Sequence, residues 1–256
     1  MMPDPIAEKM QQGVDEGVFR GGVLLVSHKG RTVHHAAYGC ACLIPNREPA
    51  TVGTIYDLAS LTKPIATATA AAFLVADGKL GLGDPLEKFV PELTQAELRQ
   101  ATIRHLLNHS SGLPAWRPFY ERIVPDGKRL RGRPLAERRA AIYDAIHREP
   151  LVEPVGGRCV YSDLGFILLG EILERVTKQE WSAFCHGALF PRLGASDMFY
   201  MSESGPPREI SLTGRRFAAT EQDDWRGRMI RGEVHDENAA VMGGVSAHAG
   251  LFGTAV

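Results

Sequence analysis

Residues 64–76, PIATATAAAFLVA, carry no charged side chain, and their polar members are two threonines, Thr67 and Thr69. A helix built from them is apolar around its whole circumference, and such a helix belongs inside a protein. It is too short and too rich in Ala and Thr to span a bilayer, which takes roughly 20 predominantly apolar residues. Gly78 suits a left-handed stop just beyond it. At the front end stands Ser60-Leu61-Thr62-Lys63, a hydroxyl and an amine three residues apart and therefore on one helical face. Pro64 is tolerable in a first turn, whose N–H groups have no intrahelical partner. Ser60 is thus expected at a helix N-terminus, where developing negative charge is favoured. An isolated S-x-x-K is more often an N-cap serine followed by a lysine reaching for solvent. Only other motifs can decide.

The chain has 256 residues and a formal net charge of −1, the profile of a soluble globular protein. Neither a linker, a repeat nor a low-complexity tract interrupts it, so residues 1–256 are read as a single domain. The charge balance argues against a nucleic-acid partner or an anionic membrane for the surface as a whole. No basic segment followed by an apolar core opens the chain, so the compartment expected as written is the cytoplasm, or the periplasm if a leader was removed. Oligomeric state is not legible. Cys40, Cys42, Cys159 and Cys185 include no C-x-x-C pair and are expected as reduced thiols, mostly partly buried.

Asp4-Pro5 opens an amphipathic helix through Ile6, Met10 and Val14. Two strand-like runs, residues 21–27 and 31–38, flank His28-Lys29-Gly30 and predict a β-hairpin. Thr102 caps a helix over 103–109, placing His105 and His109 on one face. No third ligand accompanies them, so both are expected to be structural. His34-His35 point to opposite strand faces, and His235-Asp236-Glu237 are too contiguous to converge on a metal. No metal or cofactor is therefore expected. Seven arginines and one lysine against three acids between Arg117 and Arg139 read as a solvated face, or as a cover attracting an anionic substrate. A helix over 134–148 presents Leu135, Ile142 and Ile146 on one side. A second buried helix follows Tyr161-Ser162-Asp163, and a short helix from Trp181 stops at Pro191. Residues 202–239 show no period and are expected to be a loop-rich excursion.

Three motifs now stand in order: S-L-T-K at Ser60, H-S-S-G-L-P at His109 and Y-S-D-L-G at Tyr161. In this order and spacing the chain resembles the penicillin-recognising serine hydrolases of the class C β-lactamase and D,D-peptidase type, with their esterase relatives. The resemblance covers nearly the whole length. It implies an α/β fold of mixed α+β type, an antiparallel sheet flanked by helices with an adjoining helical region and the serine in the cleft between. It also implies an acyl-enzyme at Ser60 formed from a small-molecule or peptide-like acyl substrate: an ester, an amide or a β-lactam. A serine hydroxyl must lose its proton to a neighbouring base as it attacks, and Lys63 and Tyr161 are the candidates. Asp163 stands where the family more often has Asn, and a carboxylate beside Lys63 favours the ammonium, which makes Tyr161 the expected base and Lys63 its electrostatic support. Ionised Asp only accepts hydrogen bonds, whereas Asn can donate to an amide carbonyl, so the substitution favours ester substrates. Family members carry a third motif, K-[ST]-G or H-x-G, on a late strand. His248-Ala249-Gly250 matches by letters, but its setting resembles a segment upstream of that strand. His248 and Gly250 are kept as substrate-binding or supporting candidates, and the chain is expected to stop short of the final strands. The alternative to a hydrolase is a penicillin-binding or scaffold protein that keeps the fold without turnover.

Overall fold

The computed structural model describes residues 4–255. Asp4 caps α1 (Pro5–Asp15) as its side chain accepts from the N–H groups of Ile6 and Ala7 at 3.0 and 3.3 Å. The predicted hairpin forms from β1 (Gly21–His28) and β2 (Arg31–Cys42), with Gly21 opposite Gly39. A Cβ on either glycine would overlap the facing backbone, so the pair is glycine because the chains approach so closely. Further strands are β3 (Glu48–Pro49), β4 (Tyr56–Asp57), β5 (Phe199–Tyr200), β6 (Ala219–Asp223), β7 (Arg228–Arg231) and β8 (Leu251–Gly253). They assemble into three small antiparallel sheets, ordered β1-β2-β3, β4-β8-β5 and β6-β7.

The central helix changes pitch twice: a 3-10 turn (Ala59–Leu61), a π segment (Lys63–Ala68), then α2 (Thr69–Ala76). It is buried on one face, through Lys63, Ala66, Thr67, Ala70, Ala71 and Leu74, and not around its circumference. The outward face is uncharged because it is built from Pro64, Ala72 and Ala76, small residues whose exposure forfeits little burial. By length and composition Ala59–Ala76 would also suit a membrane, but its buried face lies in the main core with helices that follow it in the chain. Those helices are α3 (Ala96–Gln100), α4 (Ile103–Leu107), α5 (Phe119–Ile123), α6 (Leu135–His147) and α7 (Asp163–Thr177). In α7 ten consecutive residues from Leu164 to Leu173 are buried, which makes it the axis of the core. Each fully buried Leu or Ile there contributes about 1.5–3 kcal/mol relative to exposure.

Several expectations need correction. The helix from Trp181 does not stop at Pro191: α8 (Trp181–Phe184) passes through a π segment (Cys185–Leu189) into α9 (Phe190–Leu193). Proline sits in the first turn of that last piece, where no N–H is needed, and Gly194 at φ +66° ends it. The excursion over 202–239 contains the β6-β7 hairpin and the start of α10 (Glu237–Val241). Leu135 is 36% exposed, whereas Ile142 and Ile146 are buried. In the basic run Arg122, Lys128, Arg129, Arg131 and Arg133 are exposed, as expected of a solvated face, whereas Arg117 pairs with Glu149, Arg138 with Glu203, and Arg139 with Glu174 and Glu180. Cys40, Cys42 and Cys185 are buried free thiols and Cys159 is exposed.

Candidate active site

Ser60 stands in the 3-10 turn that opens the central helix. Asp57 ties this turn to β4, its Oδ1 accepting the Ala59 N–H at 2.8 Å, and Leu61 N–H donates to Leu58 O at 2.9 Å. Ser60 N–H lies between these two committed donors. Ala59 holds φ +45°, a left-handed conformation uncommon outside glycine, and this swings the chain so that the helix begins at Ser60.

Lys63 Nζ donates to Ser60 Oγ at 2.9 Å and to His248 O at 3.3 Å, and pairs with Asp163 Oδ1 at 2.6 Å. Its side chain is 3% exposed. Such a buried cation is tolerated only when paired and hydrogen-bonded. As an ammonium donating to Ser60 it carries no lone pair with which to take the serine proton. Its Nζ also lies 4.7 Å from the centroid of the Tyr161 ring. Tyr161 itself is 54% exposed. Ser60, Lys63, Tyr161 and His109 line one open pocket of about 560 Å³, with apolar walls that include Leu58, Leu107 and Phe166.

The segment 246–251 packs behind the lysine. Thr67 Oγ1 donates to Ala247 O at 2.6 Å, Thr62 Oγ1 accepts Leu251 N–H at 3.2 Å, and Lys63 reaches His248 O. Thr62, just ahead of the apolar run, and Thr67 within it thus bind this segment to the helix. His248 is 1% exposed, its Nδ1 sharing a proton with Ser246 Oγ at 2.8 Å and its Nε2 with Asp236 Oδ1 at 2.9 Å. Burial pushes the Asp236 carboxyl up, but the charge and hydrogen bond of His248, the Ala239 N–H and Lys63 together hold it below its ordinary range. Asp163, Asp236 and His248 bring ligand-type atoms within 4.8 Å of one another, and Lys63 sets a positive charge against Asp163 at 2.6 Å. Gly250, at φ +104°, is packed against Gly244 O. Neither His248 nor Gly250 lines the Ser60 pocket. Of the residues singled out in the sequence, Ser60, Lys63, Tyr161 and Asp163 come together directly, His248 joins through its carbonyl, and Gly250 only shapes the segment that carries it.

His105 and His109 do not share a helical face. The helix ends at Leu107, and His109 sits outside it at φ +60°. His105 completes a capping box with Thr102, whereas His109 turns into the pocket against the Tyr161 ring, centroids 4.5 Å apart. Burial first, and then Lys63, hold the His109 imidazole below its ordinary pKa, against the opposing pull of Asp163.

A mixed α/β fold with a serine hydroxyl held against a buried lysine at the head of a core helix is the arrangement of the β-lactamase and penicillin-binding-protein class. The chain belongs to this family: a family model described as Beta-lactamase matches residues 6–256. It is 32% identical over 262 residues to an Escherichia coli K12 protein named "Putative D-alanyl-D-alanine carboxypeptidase", covering 95% of this chain and 59% of that one. It is 31% identical over 270 residues to the N-acetylmuramyl-L-alanine amidase of Bacillus subtilis, covering 96% of this chain and 60% of the relative. The chain therefore spans about three fifths of the length of these curated relatives. Among solved structures it is similar to the octameric penicillin-binding protein homologue of Pyrococcus abyssi, with a TM-score of 0.71, 26% identity and coverage of 97% of this chain and 53% of that one.

Proposed function

We propose that Ser60 is the nucleophile of a hydrolase that passes through an acyl-enzyme. The observation that carries this reading is the 2.9 Å hydrogen bond between Ser60 Oγ and a buried, carboxylate-paired Lys63 at the mouth of the pocket. Ser60 Oγ attacks a carbonyl carbon, its proton passes to Tyr161, and the C–O or C–N bond to the leaving group breaks as Tyr161 returns that proton to it. Water then attacks the ester by the reverse relay and frees Ser60. Lys63, paired with Asp163 at 2.6 Å and 4.7 Å from the centroid of the Tyr161 ring, gives this relay its electrostatic support. Ser60 N–H is placed to stabilise the oxyanion, a contribution worth about 10²–10³ in rate per donor.

The relatives named above point to amide bonds of cell-wall peptides, but Asp163 favours esters. Its carboxylate is turned onto Lys63, and an ionised carboxylate offers no hydrogen to a substrate amide carbonyl. A second reading, acylation without efficient turnover, is favoured by the placement of residues 248–250 behind Lys63 and away from the pocket. Incubation with a fluorophosphonate or an activated ester, followed by intact mass measurement, is expected to show one covalent adduct that is lost in Ser60→Ala. Equal labelling of the alanine variant would remove the proposal. A burst of product equal to the enzyme concentration with a flat steady state marks the second reading.

A further inference from the structure

His109 is used by none of the chemistry above, yet it holds the backbone on both sides of Tyr161. Its carbonyl accepts the Val160 N–H at 2.9 Å and its ring Nδ1 accepts the Ser162 N–H at 3.0 Å. Between these two anchors the imidazole lies against the Tyr161 ring, centroids 4.5 Å apart at 38°, with Phe166 on it at 5.0 Å. Tyr161 is more than half exposed, and among the described residues its hydroxyl forms no hydrogen bond, so little else positions it. His109 holds a left-handed backbone, φ +60°, a conformation that His adopts more readily than most residues with a Cβ. Accepting the Ser162 N–H at Nδ1 also fixes the neutral tautomer with its proton on Nε2.

We infer that His109 is the positioning residue of Tyr161: a two-point clamp, through its carbonyl and its Nδ1, that holds the phenol beside Lys63. This rests on the reading of Tyr161 as the base that serves Ser60. The carbonyl half of the clamp survives substitution, and the side-chain half does not. Asn is the conservative replacement, because its Oδ1 can stand close to the position of Nδ1 and it tolerates left-handed backbone. A displacement on the order of 1 Å in a reacting group can cost about 10²-fold in rate.

The test is a double-mutant cycle on the rate of Ser60 acylation by an activated ester. His109→Ala is expected to slow acylation about 10- to 100-fold, and His109→Asn to recover most of that loss. In a Tyr161→Phe background the same His109→Ala change is expected to cost nothing further, since the group it positions is gone. A merely structural role would slow both backgrounds by the same factor, and that result, or no loss in the single variant, overturns the inference. Hydrogen exchange at the Val160 and Ser162 amides supplies a readout independent of turnover. Faster exchange at Ser162 in His109→Ala, restored by Asn, supports the clamp, and unchanged exchange overturns it. Wild-type protein that acylates with no dependence on Tyr161 refutes the base assignment, whereas the exchange result still decides whether the clamp exists.

Discussion

Lys63 and Arg138 are both cations removed from solvent, their side chains 3% and 1% exposed, and both face a carboxylate. Arg138 is closed on all sides: Nε donates to Arg133 O at 3.0 Å, Nη1 to Val241 O at 2.7 Å, and Nη2 to both oxygens of Glu203. Each of its three nitrogens ends on a group that cannot react, and the set ties α6 to α10 and to the loop after β5. Lys63 also has a carbonyl and a carboxylate, but its remaining contact is a hydroxyl that borders a pocket. Burial and pairing therefore do not separate the cation proposed to serve Ser60 from a structural one. What differs between them is the last partner.

The largest expected effect separates the two directly. Lys63→Met should slow acylation of Ser60 by about 10²–10⁴-fold, the range for losing a group that assists proton transfer, measured per folded molecule. Arg138→Met should leave acylation per folded molecule within a few-fold while lowering unfolding free energy by about 3 kcal/mol, as expected when a buried pair loses one partner, measured by urea denaturation. If both variants lose mainly stability, the distinction drawn here collapses. Next comes the support behind the lysine. A Cβ on Gly170 would lie 2.5 Å from Ala247 Cβ, so Gly170→Ala should push segment 246–251 off the helices and cost about 1–3 kcal/mol by overpacking. A smaller drop in acylation should accompany it as His248 O withdraws from Lys63.

The smallest effect is one of pH. Asp236 has a depressed carboxyl pKa in the folded protein, so it contributes stability above the ordinary carboxylate range, and that contribution is lost as pH falls through the depressed value. Thermal denaturation of wild type and Asp236→Asn between about pH 7 and pH 3 should show a gap that is widest near neutrality and narrows in acid. A gap independent of pH would show that Asp236 acts here only as a hydrogen-bonding shape.

What was legible in the sequence was local. Ser60 and Lys63 are three residues apart, Tyr161 and Asp163 two, and the β1-β2 hairpin turns on Lys29-Gly30, so short-range spacing carries each of them. The clamp on Tyr161 was not legible, because it depends on His109 leaving the helix at positive φ and meeting a segment about fifty residues away. The H-S-S-G-L-P motif, adjacent to that bend, was the available signal. The β6-β7 hairpin was hidden because ATEQD and RMIR present little buried apolar alternation. The Asp236–His248 pair was hidden too, because the eleven residues between them include α10 and a double-glycine turn at Gly243-Gly244.

The stretch that bears His109 is also held to its partner at several further points: Val152 N–H to Gly112 O at 2.9 Å, Gly156 N–H to Ser110 O at 2.8 Å, Ser162 Oγ to Pro114 O at 2.6 Å and Asp163 N–H to Ala115 O at 2.8 Å. Residues 116–151 leave and return through this seam, so their ends are tethered independently of what they contain. Lengthening a surface loop whose ends are already fixed adds only slowly to its entropic cost, about 0.6 kcal/mol per doubling. Insertions in the exposed turn near residues 128–132, between α5 and α6, can therefore be absorbed while Phe119, Arg138, Ile142 and Ile146 keep those helices in the core and Tyr161 stays at its post.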